Sequence, residues 1–568
     1  MCNDAPHGED LVNPAETGPM PAAADDWWRT AVIYQIYPRS FADSNGDGIG
    51  DLPGITSHLH ELATLGVDAI WLSPFYPSPQ RDAGYDVSDY RDVDPLFGTL
   101  ADADALIARA HELGLRVIAD IVPNHSSSEH AWFKEALVAP PGSPARDRYF
   151  FRDGKGPDGS EPPNNWTSIF VGPAWTREIR ADGTPGQWYL HLFDTTQPDF
   201  NWESEEVRSE FDDILRFWLA RGIDGFRVDV AHGLIKEEGL PDYTVDRTVD
   251  PDGRHTFATT PFMGRDGVHD VWRRWRRVVE EVGADRMLAA EAWVFPLERM
   301  AHWVRPDEMH QAFNFPFLET KWEVAAQREI IGESIRAFSA VGAPSTWVLS
   351  NHDVVRHASR LALMGENPYG YGLGPKSPGQ PDAVLGLRRA RAASLMMLAL
   401  PGSSYVYQGE ELGLPEHVHI PDSKRQDPAW FRSGGERYGR DGCRVPLPWK
   451  STAPAYGFSD TGKSWLPQPA EWGTLARDVQ AADSTSTLAM YQTALAERAE
   501  RRLGSGTLRW VDMGDDVLAF DNGTVRVITN MGDEPLPLPG NVIAASESVG
   551  ATIPRDVTVW VERTVPTA

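Results

Sequence analysis

The 568-residue chain is short of cysteine, of positive charge and of long apolar runs, and each shortage removes a class of protein. Only Cys2 and Cys443 are present, so no disulfide framework is expected, which fits a reducing compartment. Lysine and arginine total 53 against 82 aspartates and glutamates, a formal net charge of −29, which opposes nucleic acid or an anionic membrane as partner. No stretch approaches the roughly 18 apolar residues that span a bilayer. The segment 1–26 has neither a basic region nor an apolar one of the signal-peptide kind. These features predict a cytoplasmic protein with a disordered extension over 1–26 and leave the oligomeric state open between monomer and homodimer.

What is present is a large core and many acids. With 41% hydrophobic residues the chain can bury a sizeable core, and its length calls for two or three domains. The 21 tryptophans suit core packing, and beside acids they also suit sugar rings, whose CH faces stack on indoles. Strand-like runs recur at 31–37, 69–72, 116–122, 225–230, 287–293, 311–315, 346–350 and 404–408. Helix-period segments lie between them, at 55–66, 100–114, 203–222 and 268–283 among others. Eight such repeats predict an α/β fold, a (β/α)8 TIM barrel over 27–125 and 195–500. No GxGxxG turn follows the first strand, which argues against a dinucleotide fold. Two intervals break the rhythm. The Gly-, Pro-, Asn- and Trp-rich stretch 126–194 is far too long for a βα loop and predicts a small inserted domain after the third strand. Short alternating runs after 501 predict a C-terminal β-sandwich over 501–568. A Pro-rich segment at 367–382 reads as a long loop.

Chemistry in such barrels lies at the C-terminal ends of the strands, and acids and histidines fall there repeatedly. The third strand runs into Asp120-Ile121-Val122-Pro123-Asn124-His125. The fourth ends Gly225-Phe226-Arg227-Val228-Asp229, the fifth meets Glu291-Ala292-Trp293, and the seventh meets Asn351-His352-Asp353. Arg227 and Asp229, at i and i+2, share one face of a strand, where a guanidinium keeps a carboxylate ionised. One strand-end acid is unremarkable, but acids with histidines at four such positions point to a catalytic site.

The segments DIVPNH, GFRVDVAH, EAWV and NHD resemble, in order and spacing, the signature regions of the α-amylase family of glycoside hydrolases. Gln197–Trp202, QPDFNW, resembles the additional signature of its oligo-1,6-glucosidase and α-glucosidase branch, and the resemblance extends from about Trp27 to the C-terminus. It implies Asp229 as nucleophile, Glu291 as general acid/base and Asp353 as the third acid, with His125, Arg227 and His352 in the −1 subsite. Retaining cleavage needs a nucleophilic carboxylate and a protonated one about 5–5.5 Å apart. Arg227 is expected to keep Asp229 ionised, and Glu291, in a less charged setting, to have a raised pKa. By the same resemblance Tyr85 stacks on the −1 sugar, and Asp82 binds end-sugar hydroxyls opposite an arginine from 439–446, best matched by Arg444. Such a clamp closes the site into a pocket, which implies an exo-acting α-glucosidase on short α-linked di- and oligosaccharides. Val230 after the nucleophile accompanies α-1,6 preference in this branch, but Ala231-His232 and GRDGCRVPLPW resemble the α-glucosidases of high-GC bacteria. The α-1,4 reading therefore comes first and oligo-1,6-glucosidase second. Transglucosylation or isomerisation of the trehalose synthase or sucrose isomerase type follows, then a non-catalytic sugar-binding relative, which the intact acids disfavour.

The loop Asp43-Ser44-Asn45-Gly46-Asp47-Gly48-Ile49-Gly50-Asp51 spaces Asp43, Asn45, Asp47, the Ile49 carbonyl and Asp51 like an EF-hand, with Gly54 in place of the last glutamate. The branch holds a divalent cation here, which implies a structural Ca²⁺, with Mg²⁺ as the alternative.

Overall fold

The structure, a computed structural model, describes residues 26–243, 260–364 and 372–563. The expected 1–26 extension therefore lies outside the described residues except for Asp26, as does part of the Pro-rich loop. Eight strands form one sheet: β1 Val32–Ile36, β2 Ala69–Leu72, β3 Arg116–Ile121, β4 Gly225–Val228, β5 Met287–Ala290, β6 Gln311–Ala312, β7 Thr346–Val348 and β8 Ser403–Tyr407. Every pairing is parallel, in the order β7-β8-β1-β2-β3-β4-β5-β6. A backbone hydrogen bond from Asn314 N to Thr346 O, 3.1 Å, joins the two ends of that order and closes the expected barrel.

The period of two along each strand sorts its side chains. Ile33, Ala69, Trp71, Ile118, Ala289, Val348 and Tyr405 pack together inside the barrel, while Tyr34, Ile70, Val117, Phe226 and Leu288 pack outward against the helices. Asp120, Arg227, Asp229 and Glu291 each continue the inward series of their strand. The strands stop sooner than the apolar runs suggest: β4 ends at Val228 and β5 at Ala290. Asp229 N still donates to Ile121 O at 2.9 Å, and Glu291 N to Val228 O at 3.0 Å. The chain then turns at Val230, whose φ is +45°. Both acids thus occupy the first position past the ladder, held by it but free of it.

The helices have identifiable ends. Leu100–Glu112 starts on a capping box between Thr99 and Asp102, and Gly114, at φ +77°, follows its end. The single helix expected over 55–66 is two, Leu52–Ser57 and Leu59–Leu65, broken at His58. Between β3 and β4, the strands Phe151–Arg152, Pro185–Leu190 and Trp175–Ile179 form an antiparallel sheet around Phe150, Trp166, Trp175 and Leu190. The C-terminal region holds a five-stranded antiparallel sheet and a two-stranded one that share an apolar layer, including Ile528, Ile553 and Val559. Among the described residues no helix is long and apolar enough to cross a membrane.

One buried cation secures the base of the barrel. Arg498 donates to the carbonyls of Leu398 (2.7 Å), Leu400 (2.8 Å) and Thr30 (3.3 Å), and also to Gly402, so it joins the segments that enter β1 and β8. Arg498→Met is expected to leave these carbonyls unpaired and to cost about 1–3 kcal/mol. Denaturant unfolding checks this, and an unchanged midpoint would show that the carbonyls find other donors.

Candidate active site

Arg227 is the hub of the site. Its guanidinium is buried, lies 5.0 Å over the Trp71 ring, and meets three carboxylates from three strand ends. Nη1 donates to Asp120 (2.9 and 3.1 Å) and to Asp229 Oδ1 (2.6 Å), and Nη2 lies 3.0 Å from Glu291 Oε2. Glu291 Oε2 also accepts the Val230 N–H at 2.9 Å. This corrects the expectation that Glu291 sits in a less charged setting, because one planar fork bridges it and Asp229. The expectation that Arg227 keeps Asp229 ionised is corrected as well: burial pushes the Asp229 carboxyl well above the ordinary carboxylate range; Arg227 opposes this, and Glu291 and Asp120 add to it. Burial likewise raises Asp120, to about 7, against the pull of Arg227.

The two histidines stay neutral. Burial holds His125 down at about 4 and His352 well below its usual value. Gln35 presents its amide nitrogen to His352 Nδ1 at 2.7 Å, which leaves Nε2 as the N–H. That Nε2 is buried, 3.2 Å from Asp353 Oδ2, and makes no hydrogen bond among the described residues. His352 stacks between Tyr85 (5.2 Å, 4°) and Tyr37 (5.8 Å, 18°). The Tyr85 hydroxyl donates to Asp120 Oδ2 at 3.0 Å. His125 is enclosed differently: its Nδ1 faces Asn124 and its Nε2 faces the Tyr85 carbonyl, both at 3.1 Å.

A second cation cluster lies beside the first, and here the sequence expectation is corrected. The arginine on Asp82 is Arg440, with Nη2 to Asp82 Oδ1 at 2.7 Å, and not Arg444. Arg440 also reaches Asp353 Oδ1 (3.1 Å) and Asp427 Oδ2 (2.6 Å). Arg444 lies beyond the short 3₁₀ turn Asp441–Cys443 and spends its Nε on the His352 carbonyl (2.8 Å), so only its Nη2 meets Asp353 Oδ1 (2.8 Å). Burial opposes ionisation of Asp353, but the cations Arg440 and Arg444 hold its carboxyl well below the usual range. Gln197 links Asp82 to His125, its Nε2 lying 3.1 Å from both Asp82 Oδ2 and His125 Nε2.

Asp120, Gln197, Arg440 and Asp427 are thus site residues that sequence reasoning did not single out. Asp120 opens the DIVPNH segment, and only the structure sets it directly opposite Arg227 in the β3–β4 register. Gln197 opens the QPDFNW signature, and Arg440 and Arg444 both fall in the segment expected to supply the clamp. Nothing in the sequence marked Asp427.

The Asp43–Asp51 loop is built from its own turns. Asp43 accepts from the N–H groups of Asn45, Gly46 and Gly48, Asn45 from Asp47, and Asp47 from Ile49. Asp51 accepts from Ser44 and caps the following helix through Gly54 N. Among the described residues no group of three or more His, Cys, Asp or Glu side chains is gathered to hold a metal.

Residues 35–506 match the family model described as the α-amylase catalytic domain, and the chain belongs to the α-amylase family of glycoside hydrolases. Within that family its relatives lie in the α-glucosidase and oligo-1,6-glucosidase branch. A probable α-glucosidase of Rhizobium meliloti is 40% identical over 90% of each chain. An oligo-1,6-glucosidase of Heyndrickxia coagulans is 36% identical over 78% of this chain and 79% of its own. Among solved structures, a trehalulose synthase of Pseudomonas mesoacidophila superposes with a TM-score of 0.82 at 30% identity, covering 95% of this chain and all of the other. An α-glucosyl transfer enzyme superposes at 0.79 with 35% identity, covering 94% of this chain and 99% of its own.

Arg440→Met is expected to lower kcat/KM for small α-glucosides by about 10²-fold and to move the acidic limb of the pH profile upward. The sign follows from charge: Asp82, Asp353 and Asp427 lose the cation that keeps them ionised and take up protons at higher pH. A variant with an unmoved acidic limb would show that Arg444 alone suffices.

Proposed function

We propose that this protein is an exo-acting, retaining α-glucosidase that removes glucose from the non-reducing end of short α-glucosides, α-1,4-linked ones first. The observation that carries the reading is the Arg227 fork, which holds Asp229 and Glu291 on one guanidinium. That closeness suits the roughly 5–5.5 Å separation of a retaining pair better than the wider 6.5–9.5 Å of an inverting one.

In the first step an Asp229 oxygen attacks C1, the C1–O bond breaks, and the proton on Glu291 passes to the leaving oxygen. The product is a β-glucosyl ester of Asp229. In the second step Glu291 takes a proton from water, whose oxygen attacks C1 and releases Asp229 with the α-configuration restored. The neutral His352 donor, with Asp353 beside it, meets ring hydroxyls. An excess of carboxylates over arginines lowers the energy of the oxocarbenium-like transition state. The Asp82–Arg440 ion pair suits a clamp on the end sugar, which supports removal of one sugar at a time, and Tyr85 supplies an aromatic face to the −1 ring. A sugar hydroxyl can replace water in the second step. The similarity to a transfer enzyme and to a trehalulose synthase favours transfer as a second activity, and the valine at 230 keeps α-1,6 bonds as the second linkage. The shortage of cysteine supports a cytoplasmic setting.

Asp229→Ala is expected to lower turnover of an aryl α-glucoside on the order of 10⁴-fold or more with the fold intact. Proton NMR of the first product should show α-glucose, and initial β-glucose would overturn retention. Product profiles on maltose, isomaltose, sucrose and trehalose decide linkage and transfer, with maltose expected to be cleaved fastest.

The Asp43–Asp51 loop is proposed as a structural cation site. Each of its side-chain oxygens that accepts one backbone N–H keeps a second lone pair for Ca²⁺ or Mg²⁺. The melting temperature is expected to rise with millimolar Ca²⁺ and fall with a chelator; no change in either would remove the assignment.

A further inference from the structure

A buried ion pair outside the two arginine clusters touches the catalytic elements from behind. Lys236 is 5% exposed and its ammonium lies 2.8 Å from Asp199 Oδ2, with both side chains essentially inaccessible. The same ammonium donates to Asn124 Oδ1 at 3.1 Å and to the Gly233 carbonyl. Burying a charge this completely is costly unless every contact is put to use. Here the contacts reach three elements. Asp199 Oδ1 accepts from Leu192 N (2.8 Å) in the inserted region, and Asn124 precedes the −1 histidine. Gly233 closes the turn that follows Asp229, its N–H donating to Val230 O at 2.8 Å.

That turn is strained. Val230 has φ +45°, a region in which a β-branched residue is a genuine outlier. The conformation aims the Val230 N–H at Glu291 Oε2 (2.9 Å), while Ala231 N donates to the Glu291 carbonyl (2.9 Å). Glu291 Oε2 thus accepts from both Val230 and Arg227, which leaves Oε1 as the oxygen free to carry the proton for the leaving group. Gly233 cannot be enlarged without moving this arrangement. A Cβ there would lie 2.7 Å from Val230 Cγ1 and 2.9 Å from Asn124 Oδ1.

We propose that Lys236 is a positioning residue for the general acid: paired with Asp199, it clamps the Gly233 turn and so holds Val230 in the strained conformation whose N–H fixes one oxygen of Glu291. The inference rests on the reading of Glu291 as the acid, and its test separates the two. The measurement is kcat/KM on maltose, whose leaving group needs a proton, against α-glucosyl fluoride, whose leaving group does not. Lys236→Met is expected to lower the maltose value by about 10²-fold and to change the fluoride value little. Gly233→Ala, which keeps the Lys236–Asp199 pair, is expected to show the same selective loss and serves if Lys236→Met does not fold. Lys236→Arg should recover part of the maltose value. Equal losses on both substrates, or none, from both Lys236→Met and Gly233→Ala would overturn the proposal. Glu291→Gln is the control: a selective loss there without one in the other two variants rejects the role of Lys236 alone, and an equal loss there rejects Glu291 as the acid.

Discussion

Arg227 is the constraint on which the site depends. A guanidinium fixed under Trp71 and Tyr85 has no conformational choice left, so the carboxylates it gathers have little either. Asp120 stands opposite it on the neighbouring strand, Asp229 two residues on, and Glu291 just past the next strand. Two buried acids, Asp120 and Asp229, and the partly buried Glu291 around one cation leave an uncompensated negative charge. In a low-dielectric interior that charge has two outlets, a proton shared within the cluster or a cationic ligand. The retaining cleavage proposed for this site uses both, the proton on the acid and the positive charge that develops at C1.

The same device recurs at two other depths. Arg440 draws together Asp82, Asp353 and Asp427 from loops far apart in the chain, and Lys236 joins Asp199, Asn124 and Gly233 behind the catalytic pair. Each cation is a bolt between βα loops. Parallel strands supply a rigid floor, and their loops are tied by scattered backbone contacts, such as Phe200 N to Asn124 O and Ala231 N to Glu291 O, both 2.9 Å. Buried ion pairs do this with a directionality that apolar packing lacks. The strain at Val230 is stored against these bolts and against the β3–β4–β5 ladder, so a valine at a left-handed φ persists.

The barrel, the order of its strands, and the acids at their ends were legible because alternating burial and strand-end chemistry are local signals. Asp229, Glu291, Asp353, His125 and His352 all fall where a run of apolar residues stops. The clamp was half legible. Two arginines four residues apart flank the same turn, and spacing does not say which one points across the pocket. The setting of Glu291 was not legible, because Arg227 reaches it sideways, from one strand to the next, and nothing near residue 291 announces a guanidinium. Val230 could be named from the sequence, but only as a side chain beside the nucleophile. Its backbone conformation, and the use of its N–H, belong to the turn.

The sequence by itself determined the family, the barrel and the identity of the acids, since each rests on residue types at short spacing. Tertiary structure alone decided how charge is shared among them: which arginine meets Asp82, that one guanidinium serves both Asp229 and Glu291, and that a buried lysine lies behind both. Coulomb and hydrogen-bond energies depend on distance in space and on burial, and closing eight strands into a ring brings together groups such as Asp82 and Arg440, which are 358 positions apart in the chain.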